Sequence, residues 1–111
     1  MKELKDYPAA QSCRLISFEK AEIHPGFAGG WILVVNGTKP YLNMKVELIP
    51  LIYVKQPEYW GIEVVGCLNG IGLPAVAPYT VSIPLDHITG TKGIEVIGAD
   101  KSEKIDISAK K

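Results

Sequence analysis

The chain is expected to fold as one all-β domain, an immunoglobulin-like or Greek-key β-sandwich of about seven short antiparallel strands. Three observations lead there. Eleven Gly and eight Pro are spread along the chain rather than gathered in one linker, so turn signals recur roughly every ten residues, the spacing of sandwiches and barrels. The segments between them are rich in Val, Ile, Tyr and Trp, which suit a pleated, half-buried surface. No segment longer than ten residues carries a helical apolar stripe free of Pro or Gly, so no long helix is expected.

The first strand is expected over residues 13–24, closed by Pro25-Gly26. The second, 31–36, ends at Asn36-Gly37, a strong hairpin signal. Residues 41–49 give the cleanest alternation in the chain. Leu42, Met44, Val46 and Leu48 point one way while Asn43, Lys45 and Glu47 point the other, as a strand between core and water requires. Pro50 cannot donate to a ladder and ends or bends this strand. Residues 51–55 continue as a fourth short strand or as the same strand after a bulge, and Gln56-Pro57-Glu58 makes a turn. In the next strand, 59–68, Trp60, Ile62, Val64 and Leu68 share one face, with Tyr59, Glu63 and Cys67 on the other. Residues 69–78 hold two Gly and two Pro and form the longest loop. Strands at 79–85, 94–98 and 104–107 complete the set, the last two as a hairpin. Residues 1–12 are expected to be a flexible arm, 13–108 the sandwich and 109–111 a frayed tail.

The 111 residues suffice for one domain with its own core. Twelve basic residues balance twelve acidic ones, and the single arginine is Arg14. Nucleic acid and anionic membranes call for a basic excess, so neither is an expected partner. The polar N-terminus lacks the apolar region of a signal peptide, and no apolar run is long enough to span a bilayer. A cytoplasmic location is the resulting expectation. Cys13 and Cys67 read as small buried hydrophobes, with a mutual disulfide as the alternative.

The sequence carries no motif specific to one chemistry. His24, His87 and the two cysteines are far apart, without CxxC, HxH or HExxH spacing, so neither metal nor cofactor is expected. Copper is not expected, since no methionine follows Cys67. A Cys67 nucleophile paired with His24 or His87 is disfavoured because a thiol in an apolar strand is inert. The glycines at 66, 70 and 72 resemble a phosphate loop, but Pro74 and Pro78 follow where a helix would have to start. Asn36-Gly37-Thr38 is read as hairpin chemistry rather than a glycosylation site. Glu19, Glu22, Glu58 and Glu63 read as solvent-facing charges.

Aromatic residues at loop ends are the features that stand out. Phe27 and Trp31 bracket a small-residue loop, and Tyr59 and Trp60 follow the 56–58 turn. Such side chains are rigid, amphipathic anchors, although Trp31 and Trp60 at strand starts also suit the ends of a core. The candidate binding residues are therefore His24, Phe27, Trp31, Glu58, Tyr59, Trp60 and Asn69. The stretch His24-Pro25-Gly26-Phe27-Ala28-Gly29-Gly30-Trp31 resembles the Asn-Pro-Thr-Thr-Gly-aromatic-x-Trp loop of chagasin-like cysteine-protease inhibitors, which are immunoglobulin-like domains. The resemblance covers fewer than ten residues. Histidine stands in place of the Asn, the Thr-Thr pair is missing, and no Arg-Pro-Trp loop follows.

Residues 31–35 and 51–54 are apolar on both faces and ask for cover on both sides. The expected function is therefore a non-catalytic module that binds another protein or itself, with a homodimer as the simplest case. The alternative is a small-molecule site or enzyme where the loops 25–31, 57–60 and 69–78 would meet, and protease inhibition is the third reading.

Overall fold

The computed structural model describes residues 11–107; the expected tail at 109–111 lies outside them, as do residues 1–10 of the expected arm. Eight strands appear among the described residues: β1 Gln11–Leu15, β2 Lys20–Pro25, β3 Trp31–Lys39, β4 Lys45–Pro50, β5 Tyr59–Asn69, β6 Ala77–Pro84, β7 Gly93–Ile97 and β8 Ser102–Asp106. A single 3₁₀ turn, Phe27–Gly29, is the only helical element among them. The all-β class holds. Residues 11 and 12, counted with the arm, pair with Asn69 and Leu68 as the start of β1.

Two sheets form. The smaller is β2-β3-β6, antiparallel throughout. The larger is built on β5, the longest strand. β4 runs along one edge of β5, while β7 and β1 share the other, β7 beside residues 59–63 and β1 beside 65–69. The β5–β7 pair is parallel, which corrects the expectation of antiparallel pairing alone. Its cause is the chain path: β6 crosses to the other sheet, so the chain returns to β7 running in the direction of β5.

Other departures from the expected elements have local causes. The segment 13–24 splits into β1 and β2, because Ile16 and Phe18 turn into the core between them. Ile16 N–H still bonds the Val64 carbonyl, whereas Glu19 N–H bonds Asn36 in the other sheet, so this stretch crosses the sandwich. Asn36-Gly37 is no turn: both pair with β6 inside β3, which runs on to Lys39. Gly37 is there for close approach. A Cβ on it would lie 2.9 Å from the Tyr79 hydroxyl oxygen and 3.1 Å from Phe18 Cα.

The alternation at 41–49 is realised only from Lys45 onward in β4. Met44 and Leu48 are buried, but Leu42 sits in a turn and is exposed. Residues 51–55 form no strand. Leu51 N–H bonds the Gly61 carbonyl, and the Tyr53 ring meets Trp60 edge-on at 5.1 Å. Leu51 and Tyr53 thus lie over β5 while Ile52 and Val54 face water. The two-faced apolar strand at 31–35 is a central strand: Leu33 and Val35 fill the core, and Ile32 and Val34 are half-buried on the outer face.

The core is one cluster between the sheets, with Leu33 and Val35 from β3 meeting Ile62 and Val64 from β5 and Ile94 and Val96 from β7. Two of the edge strands, β2 and β8, carry charge, Lys20 and Glu22 on one and Glu103, Lys104 and Asp106 on the other. Charge on an edge strand discourages pairing with a stray strand.

Among the described residues that are buried in the core, Tyr79 has a hydroxyl to satisfy. Its hydroxyl donates to the Ser17 carbonyl at 2.7 Å. Burial, with a smaller contribution from Glu19, pushes its pKa up to about 12, above the ordinary value of 10.0. The folded state therefore holds this proton more tightly than the unfolded chain does. The resulting stability is fully present below the ordinary value and is lost as pH rises toward 12. Tyr79→Phe is expected to lose about 1 kcal/mol at neutral pH through the missing hydrogen bond. It is also expected to flatten the decline of stability between neutral and strongly alkaline pH, as read by urea unfolding across that range. An unchanged slope would contradict the assignment.

Candidate functional site

The residues singled out in the sequence fall at two ends of the sandwich. Pro25 pairs with Trp31, Leu85 N–H bonds the Trp31 carbonyl, and the Thr89 hydroxyl bonds the Leu85 carbonyl. Gln56 then bonds the Thr89 carbonyl and Thr91 N–H bonds Pro57. Loops 25–31 and 57–60 are thereby tied to the same end. Asn69 lies at the far end of β5, about 30 Å from Tyr59 at ordinary strand rise. The three loops do not meet, so the composite pocket expected between them is not formed.

Each candidate has its own local role. His24 bonds Glu22 at 3.0 Å, and Glu22 also pairs with Lys20 at 2.7 Å, an exposed row on β2. The Lys20 ammonium and the His24 ring hold the Glu22 carboxyl below its usual range. Phe27 is exposed on the 3₁₀ turn, where Ala28 takes a left-handed φ of 58°. Trp31 is half-buried against the core. Glu58 faces Lys92 at 3.7 Å in solvent. Adjacent Tyr59 and Trp60 take opposite sides, as strand alternation demands. Trp60 packs on the core and donates its indole N–H to the Leu51 carbonyl at 2.9 Å. Tyr59 donates to Asp106 at 2.6 Å, and this bond to a carboxylate raises its pKa.

The cysteines correct a further expectation, for they form a disulfide. Cys13 of β1 and Cys67 of β5 are direct cross-strand partners with Cα atoms 4.1 Å apart, so strand register alone brings them together. Among the described residues no three His, Cys, Asp or Glu side chains converge to hold a metal ion. No helix among them is long and apolar enough to cross a membrane.

Half of the exposed large apolar side chains among the described residues gather at one place, of which the sequence singled out only the loop 69–78 and Asn69. At the Asn69 end, the turn 41–44 and the loop 69–76 are clamped together by one side chain. Asn43 donates from Nδ2 to the Ile71 carbonyl at 3.1 Å and accepts from Leu73 N–H at 2.8 Å. Leu42 N–H bonds the Leu73 carbonyl at 3.0 Å beside them. Gly72 lies against the Tyr41 ring so closely that a Cβ there would enter it. The clamp leaves Leu42, Ile71, Leu73 and Val76 exposed, Ile71 by 89%. A legible signal did exist: Ile71 between two glycines and Leu73 before Pro74 cannot sit in a central strand.

Compared with known protein families, with curated proteins and with solved structures, the chain matches none.

Proposed function

We propose that the protein is a non-catalytic interaction module that associates with a protein partner, in the first instance a second copy of itself, through the apolar pole at 41–44 and 69–76. The observation that carries this reading is the clamped exposure of Leu42, Ile71, Leu73 and Val76. Apolar side chains held in water gain about 25 cal/mol for each Å² they bury. Because Asn43 already fixes the loop, little ordering entropy remains to oppose binding. Two stacked sheets of short strands support an immunoglobulin-like placing of the scaffold, with the parallel β5–β7 pair as its departure. The Cys13–Cys67 bridge favours an oxidising compartment over the cytoplasm.

Light scattering tests the proposal. The wild-type mass is expected to rise toward twice 12.1 kDa at high micromolar concentration. The variant Ile71→Asp/Leu73→Asp is expected to stay monomeric with an unchanged melting temperature, because both side chains are exposed. A wild-type chain that remains monomeric at high micromolar concentration would contradict self-association.

A further inference from the structure

Beside the apolar pole, where the chain crosses from β1 to β2, lies an open cavity of about 510 Å³. We infer that this cavity binds a small organic carboxylate with an apolar body, held by Arg14 and Lys39. The volume is in the range of small-molecule sites. Its lining combines apolar residues, Leu15, Pro40 and Val76 among them, with Arg14, Lys39, Ser17 and Thr38.

The charges in the lining are of one sign. No Asp or Glu lines the cavity, and none among the described residues pairs with Arg14 or Lys39. Neighbouring groups place both cations. The Lys39 ammonium donates one hydrogen bond to the Met44 carbonyl at 2.8 Å, which leaves its other two N–H donors for a ligand. The Arg14 guanidinium lies 6.0 Å from the centre of the Tyr41 ring, and that ring is seated on Gly72. A guanidinium takes a carboxylate through two parallel hydrogen bonds. Ser17 and Thr38, which also line the cavity, carry hydroxyls of the kind that can donate to a carboxylate. The apolar lining selects against a bare, fully hydrated anion such as inorganic phosphate and in favour of an acid with a hydrocarbon body.

Octanoate is the probe, followed by ¹H–¹⁵N chemical-shift titration of the full chain at millimolar concentration. Shifts are expected at residues 14–17 and 38–40. Arg14→Gln and Lys39→Gln are each expected to weaken octanoate by about tenfold, since each removes a charge-assisted bond. Octanol and inorganic phosphate are each expected to bind at least tenfold more weakly than octanoate. The inference is overturned if octanol or phosphate binds as tightly as octanoate, or if the double variant Arg14→Gln/Lys39→Gln binds unchanged. The pole variant Ile71→Asp/Leu73→Asp is expected to retain octanoate binding, so this result and self-association stand or fall separately.

Discussion

Removing the Cys13–Cys67 bridge is expected to lower the unfolding free energy by about 4 kcal/mol, the loss of loop-closure entropy for a cross-link spanning 54 residues. That is a large share of the roughly 5–15 kcal/mol that holds a domain together. In the folded state the bridge also fixes a strand that has little else to hold it. Ser12, Cys13 and Arg14 are exposed, and β1 pairs with one strand only. The bond ties this strand to β5, at the centre of the larger sheet. Urea unfolding of Cys13→Ala/Cys67→Ala beside the oxidised wild type measures the difference. A loss below about 1 kcal/mol would show that the covalent tie matters little. Protein purified without reductant and unfolded is expected to take no thiol alkylation, and two adducts after reduction.

Gly93→Ala is expected to cost about 3 kcal/mol or more, as overpacking against backbone does. Gly93 is buried, with Tyr59 of β5 on one side and Asp106 of β8 on the other. A Cβ there would strike the Ile105 carbonyl, with its carbon at 2.9 Å and Asp106 Cα at 3.0 Å. Both obstacles are main chain, so the strand rather than a side chain would have to move. Gly29 supplies the contrast. It has a left-handed φ of 81° but open space where a Cβ would stand. Gly29→Ala is expected to cost only about 1–2 kcal/mol, the backbone penalty alone. Equal losses at the two positions would contradict the packing account.

The sequence made the class of fold legible because turns and β-formers are local signals. The start of β5 and the outward turn of Tyr59 beside an inward Trp60 follow directly from alternation. What failed depended on partners distant in sequence. Asn36-Gly37 has the form of a turn until Tyr79 and Phe18 are seen to occupy the space a side chain would take. Residues 13–24 read as one strand because nothing local shows Ile16 and Phe18 crossing between sheets. The cysteine pairing needed the β1–β5 register, which joins residues 54 apart.

The candidate site was legible only in pieces. Aromatic residues mark loops 25–31 and 57–60, where Trp31 and Trp60 serve the core. The aliphatic pole carries no such flag, since its coherence comes from Asn43 reaching 28 and 30 residues along the chain. Arg14 and Lys39 likewise belong to different sheets and share only the lining of one open cavity.

The central claim is that this pole is the surface through which the protein acts. Amide chemical shifts recorded from low to high micromolar protein test it residue by residue. Concentration-dependent changes are expected to cluster at residues 41–44 and 69–76 and to vanish in Ile71→Asp/Leu73→Asp. Changes confined instead to the opposite end, around Phe27, Ile52 and Val54, or none at any concentration, would contradict it.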